Sequence, residues 1–271
     1  MKQVFEIRKL YNPIQPTITE CVNNVSYNEV FPDVRLQDFI YCYWELKTIG
    51  TLHHPFSYSA VADGCIDIFF DMNNLEDSLV MGFCKQYMEF SLGTNFHYVG
   101  IRFLPTMFPS MFNIDASELT NRCEPVDQVL PAMFDFFKAS LGISNAFNEV
   151  RSIFDHYFCN FLSKNVLYND TRIHHAINYI ITNFSTVSIE RDLSKEISIR
   201  QLRRLFEFYI GDTAKGFSQI IRFQNILRLR PSVQSLRKNK SFFDMGYYDQ
   251  THFIKDFKRF YGVTPRQAFR K

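Results

Sequence analysis

Apolar residues near the C-terminus recur every three or four positions, which is the spacing of one face of an α-helix. The pattern is clearest in the sequence GYYDQTHFIKDFKRFYGVTP, where Phe253, Phe257 and Phe260 form such a face. Asp249 is a favourable N-cap ahead of this face, and Gly262 suits the turn that ends a helix. The sequence therefore predicts a helix that begins at about residue 250 and packs its phenylalanines inward.

The opposite side of this predicted helix is polar. A glutamine can hydrogen-bond a base edge, a lysine can reach a guanine or a phosphate, and a small threonine lets a helix lie deep in a major groove. An ordinary amphipathic surface helix has the same pattern, so this helix alone leaves both interpretations open. The side chains on this face are Gln250, Thr251, Ile254, Lys255 and Lys258.

A second segment of the same kind lies upstream, with the sequence SIRQLRRLFEFYIG. Ser198 suits the N-cap and Gly211 the terminator. Arginines lie on the side opposite the apolar face. The inward residues are Leu202, Leu205, Phe206 and Tyr209, and the outward arginines are Arg200, Arg203 and Arg204.

A third helix is predicted between these two segments, at about 213–229. Its apolar stripe consists of Phe217, Ile220, Phe223 and Leu227. At 1.5 Å per residue it spans roughly 25 Å. With the turns at each end, this length suits two recognition helices placed one DNA turn, about 34 Å, apart. One chain would then present two DNA-binding helices, as dimeric helix-turn-helix proteins do with two chains.

The order of these three helices resembles the DNA-binding domain of AraC/XylS-type transcription regulators. The resemblance covers about 171–271 and is most specific in GYYDQTHFIKDFKRFYGVTP. It departs from the family in SIERDLSKEIS, which has Ser194 where a small residue and a glycine usually form a turn. The resemblance implies two helix-turn-helix units whose base contacts fall on Arg200, Arg203, Arg204, Gln250, Thr251, Ile254 and Lys255.

Composition and charge indicate two domains of opposite sign. The chain has 271 residues, of which 46% are hydrophobic, enough for two buried cores. From residue 166 onward it has 19 Lys+Arg against 9 Asp+Glu, whereas residues 1–165 have 11 against 19. A basic C-terminal part is typical of a polyanion binder. We therefore predict an effector-binding or dimerisation domain at 1–165 and a DNA-binding domain at 166–271.

The cysteines and the overall hydropathy favour a reduced, intracellular protein. No two of the six cysteines are closer than nineteen residues, so a zinc knuckle or a C-x-x-C redox pair is disfavoured. The first residues, MKQVFEIRKL, lack the apolar run of a secretory signal. No stretch reaches the ~18 apolar residues of a membrane helix. The chain is expected to be cytoplasmic, without a membrane partner.

Short strands with closely spaced turn signals fill the first part. They are predicted at about 39–46, 65–70, 79–83, 87–92 and 98–103, with Asp63-Gly64 as a hairpin signal. This spacing favours an antiparallel barrel or sandwich, and hence an α+β chain. The combination DGCIDIFF…VGIRFLP is similar to the N-terminal regions of some AraC-type regulators, which implies a cupin-like β-barrel.

The sequence evidence for catalytic or metal-binding residues in this part is weak. A metal-binding cupin places an H-x-H pair and a glutamate on inward strand positions, whereas His53-His54 are adjacent and precede a proline; His97 stands alone. Asp63 and Asp67 are poor candidates for paired catalytic carboxylates, because Asp63-Gly64 is first of all a hairpin signal. No nucleophile-elbow, P-loop or dinucleotide-binding pattern is present. We therefore expect no catalytic residue, metal or cofactor.

Helices are predicted to close the first part, at about 126–141 and 145–162. The second has a wide aromatic stripe, which either covers the barrel or forms a homodimer interface. A polar linker is predicted at 163–170, followed by a helix from Thr171. The stripe consists of Phe147, Val150, Phe154, Phe158 and Phe161.

The sequence thus predicts a sequence-specific, DNA-binding transcription regulator, controlled by a small-molecule effector in the N-terminal barrel. Two alternatives remain open. One is a repair protein resembling the Ada-type methyl acceptors, which join the same helix pair to a cysteine-rich zinc site. The other is an architectural DNA binder without an effector.

Overall fold

The computed structural model describes residues 7–16, 24–183, 192–193, 197–229 and 246–269. Within these ranges, a short helix, α1 (Ile7–Leu10), is followed by eight strands. Their register is antiparallel in every described pair, which confirms the antiparallel prediction. The strands are β1 (Val25–Val30), β2 (Ile40–Thr48), β3 (Ser57–Ala60), β4 (Ile66–Asp71), β5 (Leu79–Met81), β6 (Met88–Ser91), β7 (His97–Phe103) and β8 (Cys123–Pro125).

The strands build two sheets. Six form one sheet in the order β1-β2-β7-β4-β5-β8, and β3 pairs with β6 in a second. Among the described pairings β1 and β8 remain the edges of the large sheet, so the predicted cupin-like barrel is open. Because side chains alternate between the two faces of a strand, each face of the large sheet has its own core.

One face of the large sheet packs against helices. Ile68, Val99 and Ile101 on this face are fully buried, as are Phe154 and Phe158 of helix α6. The aromatic stripe of α6 therefore covers the sheet, which is one of the two predicted alternatives. The helices of this region are α2 (Met107–Phe112), α3 (Ala116–Leu119), α4 (Val126–Val129), α5 (Pro131–Ser140) and α6 (Phe147–Lys164).

The other face packs against the small sheet and is rich in aromatic residues. Trp44 lies directly over Gly100, where an added Cβ would be 2.2 Å from the indole ring. Phe69 contacts Trp44 and Phe90, with ring centroids 6.1 and 6.3 Å apart. Tyr58 of β3 stacks on Phe90 of β6. We call the space between the two sheets the inter-sheet core.

Two local predictions in this region were wrong. The single helix predicted at 126–141 is broken at Leu130, whose φ of −139° is not helical, because the following Pro131 disfavours a helical residue before it. Asp63-Gly64 does form a turn, with Gly64 at φ +74°, but it joins strands of different sheets rather than a hairpin. Helix α2, strand β3 and strand β8 were not predicted.

The C-terminal part is helical. The predicted boundaries of the three central helices are confirmed to within a residue. The helices are α7 (Thr171–Thr182), α8 (Ile199–Ile210), α9 (Ala214–Leu229), α10 (Gln250–Tyr261) and α11 (Pro265–Ala268).

The helical part rests on the sheet region. One continuous hydrophobic cluster includes Ile101 and Phe103 of β7 as well as Phe206 of α8 and Phe217 of α9. Phe217 also approaches Gly64 so closely that an added Cβ there would be 3.1 Å from its ring. The two parts therefore share a core.

Two residues from the sequence analysis lie outside the described ranges: Ser194 and Cys21, which is one of the six cysteines. Within the described ranges, no helix has the length and apolar character needed to cross a membrane.

Candidate nucleic-acid interface

Helix α10 has the two faces predicted for a recognition helix. The Asp249 carboxylate accepts a hydrogen bond from the backbone N–H of His252 at 2.7 Å, which caps the helix, and Gly262 at φ +95° ends it. Phe253, Phe257 and Phe260 are buried. The four predicted contact residues on the other side are exposed: Gln250, Thr251, Ile254 and Lys255.

Helix α8 has the same construction. The Ser198 hydroxyl accepts from the backbone N–H of Gln201 at 3.3 Å, and Gly211 at φ +88° ends the helix. Leu202 and Phe206 are buried, whereas Leu205 is only half-buried. The three predicted contact residues are exposed: Arg200, Arg203 and Arg204.

Helix α9 holds both recognition helices. Near its start, Phe217 packs on Phe206 of α8 with ring centroids 6.3 Å apart. Further along, Phe223 packs on Phe257 and Phe260 of α10 at 5.5 and 5.3 Å. Because both contacts are made by large buried rings of one helix, α9 is the packing base that the two recognition helices share.

Tyr247 supports the start of α10, a role that the sequence analysis missed. Its ring is buried and contacts the rings of His252 and Phe253 at 5.4 and 5.3 Å. The guanidinium of Arg222 on α9 lies 5.1 Å from the centre of the same ring. The aromatic pair in GYYDQ was the available signal, since Tyr248 is exposed while Tyr247 is buried.

Further exposed cations lie close in sequence to the two polar faces. Lys258 and Arg259 are exposed in the last turn of α10, and Lys215, Arg228 and Arg266 are exposed nearby in sequence on α9 and α11. The carboxylate of Asp256 points the other way. It is buried 3.3 Å from the His252 ring, and burial raises its pKa. The exposed side of α10 is therefore cationic.

Among the described residues, no group of three or more histidine, cysteine or carboxylate side chains could hold a metal ion. The His97 ring lies 2.9 Å from a Glu45 carboxylate oxygen, and His53 and His54 are exposed in a loop. Asp63 and Asp67 both pair with the buried guanidinium of Arg102, at 3.5 and 3.1 Å. Burial raises the pKa of Asp67 to about 6.

Comparison with known proteins identifies the C-terminal domain. Residues 195–271, which contain α8 to α11, match a family model described as a helix-turn-helix domain. This match covers both capped recognition helices and the motif GYYDQTHFIKDFKRFYGVTP. The C-terminal part is an AraC-type helix-turn-helix domain. The chain is a DNA-binding transcription regulator.

A second family model matches the sheet region. Residues 28–125 match a domain of unknown function, DUF6597. No curated protein matches the chain.

Solved structures with low similarity to this chain are ToxT and CuxR. ToxT from Vibrio cholerae O395 has 14% identity and a TM-score of 0.39, covering 91% of this chain and 95% of ToxT. A fatty-acid-bound ToxT from V. cholerae strain SCE256 has 11% identity and a TM-score of 0.38, covering 92% and 96%. The AraC-like activator CuxR has 14% identity and a TM-score of 0.21, covering 82% and 91%.

Proposed function

We propose that this regulator recognises its operator with α8 and α10 placed in successive major grooves. The observation that carries the proposal is that all seven predicted contact side chains are exposed on two capped helices held by one common helix, α9. Arg200, Arg203 and Arg204 would contact one groove. Gln250, Thr251, Ile254 and Lys255 would contact the next.

Affinity and specificity then come from different groups. Lysines and arginines around the two faces release counterions from the phosphates and supply most of the affinity, which makes binding salt-dependent. Arginine and glutamine are suited to bidentate contacts with guanine and adenine, so they select sequence. No covalent bond is made or broken in this function.

We further propose that the chain consists of two domains with a boundary at about 165/166. The N-terminal domain would bind a small-molecule effector in the inter-sheet core. The aromatic residues there, including Trp44, Phe69 and Tyr58, offer an apolar surface beside the polar group of Arg102 and Asp67. An effector regulates only if it binds one domain arrangement better than another. Such a regulator acts in the cytoplasm, where the DNA is. Because the aromatic stripe of α6 is buried against the large sheet, a homodimer would have to form through another surface.

The decisive experiment is selection of bound fragments from sheared genomic DNA by the full chain, followed by sequencing. A shared motif with two parts about one helical turn apart is expected. Enrichment of fragments without a shared motif would instead favour the architectural binder. A zinc assay on the purified protein tests the Ada-type alternative, and thermal stabilisation by a panel of metabolites tests the effector.

A further inference from the structure

The sheet region completes the end of the second recognition helix. The last carbonyl groups of a helix have no partner within that helix. In α10, the backbone N–H of Tyr87 donates to the Arg259 carbonyl at 3.1 Å, and that of Ala62 donates to the Phe260 carbonyl at 3.2 Å. Gly262 lies against the Tyr87 ring, where an added Cβ would be 3.1 Å away.

The end of the first recognition helix meets the same part of the sheet region. The Thr120 hydroxyl donates to the carbonyl of Gly211, the residue that ends α8, at 2.7 Å. The next residue, Asp212, pairs with Lys85 at 3.2 Å. Lys85 and Tyr87 are two residues apart between β5 and β6, so one short segment contacts the ends of both recognition helices.

Gln224 joins the middle of α9 to this surface. Its side-chain oxygen accepts from the backbone N–H of Ile14 at 2.8 Å, and its amide group donates to the Ala62 carbonyl at 2.8 Å and the Ile14 carbonyl at 3.3 Å. Gln224 is 2% exposed. A buried amide with every group bonded holds its neighbours in one geometry, since losing any partner leaves a buried polar group unpaired.

The contacts continue into the inter-sheet core. Gln15, next to Ile14, accepts from the backbone N–H of Val61 and donates to the Val61 carbonyl, both at 2.9 Å. Its amide also donates to the Asp63 carboxylate at 2.8 Å, and Asp63 pairs with Arg102. Buried polar contacts therefore run without a gap from α9 to the proposed effector surface.

We propose that Gln224, Ile14, Ala62 and the segment 85–87 form a latch that keeps the two recognition helices in a single arrangement suited to one operator spacing. This inference rests on the proposed function. All seven contact side chains are exposed in the latched state, so the latch leaves the DNA-binding faces free. A fixed arrangement lowers the orientational cost of binding two grooves at once. Gln224 is a positioning residue and does not touch DNA.

The test compares Gln224→Glu with Gln219→Glu in the full chain. The first change places a carboxylate against the Ile14 and Ala62 carbonyls, whereas the second adds the same charge to α9 outside the latch. For Gln224→Glu we expect about tenfold weaker binding to the two-part operator and a smaller penalty when two base pairs are inserted between its parts. Binding to DNA with one part should change by less than about twofold, and Gln219→Glu should match the wild type.

A second variant, Gln224→Met, distinguishes loss of the latch from a general folding defect. Gln224→Met keeps the side-chain volume but removes the hydrogen bonds, and it should show the same loss of spacing discrimination. Hydrogen exchange in this variant should be faster at the amides of Ile14 and Ala62, with that of the β7 strand unchanged.

The outcomes separate the two proposals. If the wild type selects no DNA sequence, the proposed function fails. If the wild type binds its operator but both Gln224 variants keep its affinity and spacing penalty, the latch alone is refuted. Tighter operator binding by the Gln224 variants would also refute it, because the contact would then oppose DNA binding.

Discussion

Side-chain exposure alternates sharply along the recognition helices. On α8, Arg203 and Arg204 are open to water, while Leu202 and Phe206 on the adjacent face are buried. A buried apolar residue can be replaced only at the expense of the core, whereas an exposed arginine can be removed with little effect on folding. The exposed positions can therefore be tested one at a time.

Replacing Arg203 or Gln250 with alanine should weaken operator binding by about 1–3 kcal/mol and relax selection at a few base pairs, because each removes a base-edge contact. Mobility-shift titrations with the operator and with random DNA measure both effects. Arg122→Ala, which removes an exposed cation from the sheet region, is the matched control and should bind as the wild type does. An equal loss on operator and random DNA would assign Arg203 or Gln250 to the phosphates instead.

His174 on α7 should make stability sensitive to mild acid. It is 6% exposed, and burial lowers its pKa to about 4, against about 6.5 in the unfolded chain. Between these values the unfolded chain binds more protons, so stability falls as the pH falls. Going from pH 7 to pH 5 should cost about 2 kcal/mol through this residue.

Urea denaturation of the wild type and His174→Gln at both pH values measures the contribution of His174 to the free energy of unfolding. Asp67 acts in the opposite direction, since its raised pKa favours proton uptake by the folded protein. Comparing each protein with itself at the two pH values, and then with the other, cancels that contribution. His156→Gln, at an exposed position on α6, is the matched control for removing a histidine.

At the scale of elements, the helices of the DNA-binding part were predictable because their signals are local. Asp249, Ser198, Gly211 and Gly262 each cap a helix within a few residues of themselves. The hairpin predicted at Asp63-Gly64 was wrong, because the pairing of strands depends on residues far away in the sequence. The same local glycine geometry serves a hairpin and a crossing between sheets.

Replacing Gly211 with alanine tests how the C-terminal end of α8 is stabilised. Alanine there must adopt a left-handed conformation, and its Cβ would lie 2.3 Å from the Thr120 hydroxyl and 2.8 Å from the Ala116 carbonyl. We expect a loss of about 3 kcal/mol in unfolding free energy. Gly93→Ala is the matched control, since Gly93 has φ +74° but no atom within 4 Å of an added Cβ. It should lose only about 1 kcal/mol, and equal losses would show that the Thr120 contact is unimportant.

At the scale of the molecule, the opposite charges of the two parts and the DNA-binding class followed from composition and motif. The way in which the two parts dock against each other could not be predicted from composition or motif. Gln224 and Ile14 are separated by 210 positions, and neither residue type signals a partner. Such a contact depends on how two finished surfaces fit, which periodicity does not encode.

Because one hydrophobic cluster runs through both parts, the full chain should unfold in a single cooperative transition. Scanning calorimetry should give a calorimetric enthalpy equal to the van 't Hoff enthalpy. Two resolved transitions would mean that the contact between the parts contributes little to stability.

The position of Trp44 gives the protein its own optical reporter. It is the only tryptophan in the chain, and its indole N–H donates to the Asp67 carboxylate at 3.0 Å inside the inter-sheet core. Emission from this one fluorophore should shift when Asp67 takes up a proton near pH 6. A compound that enters the core should quench or shift the same emission, so effectors can be screened on the unlabelled protein without any DNA present.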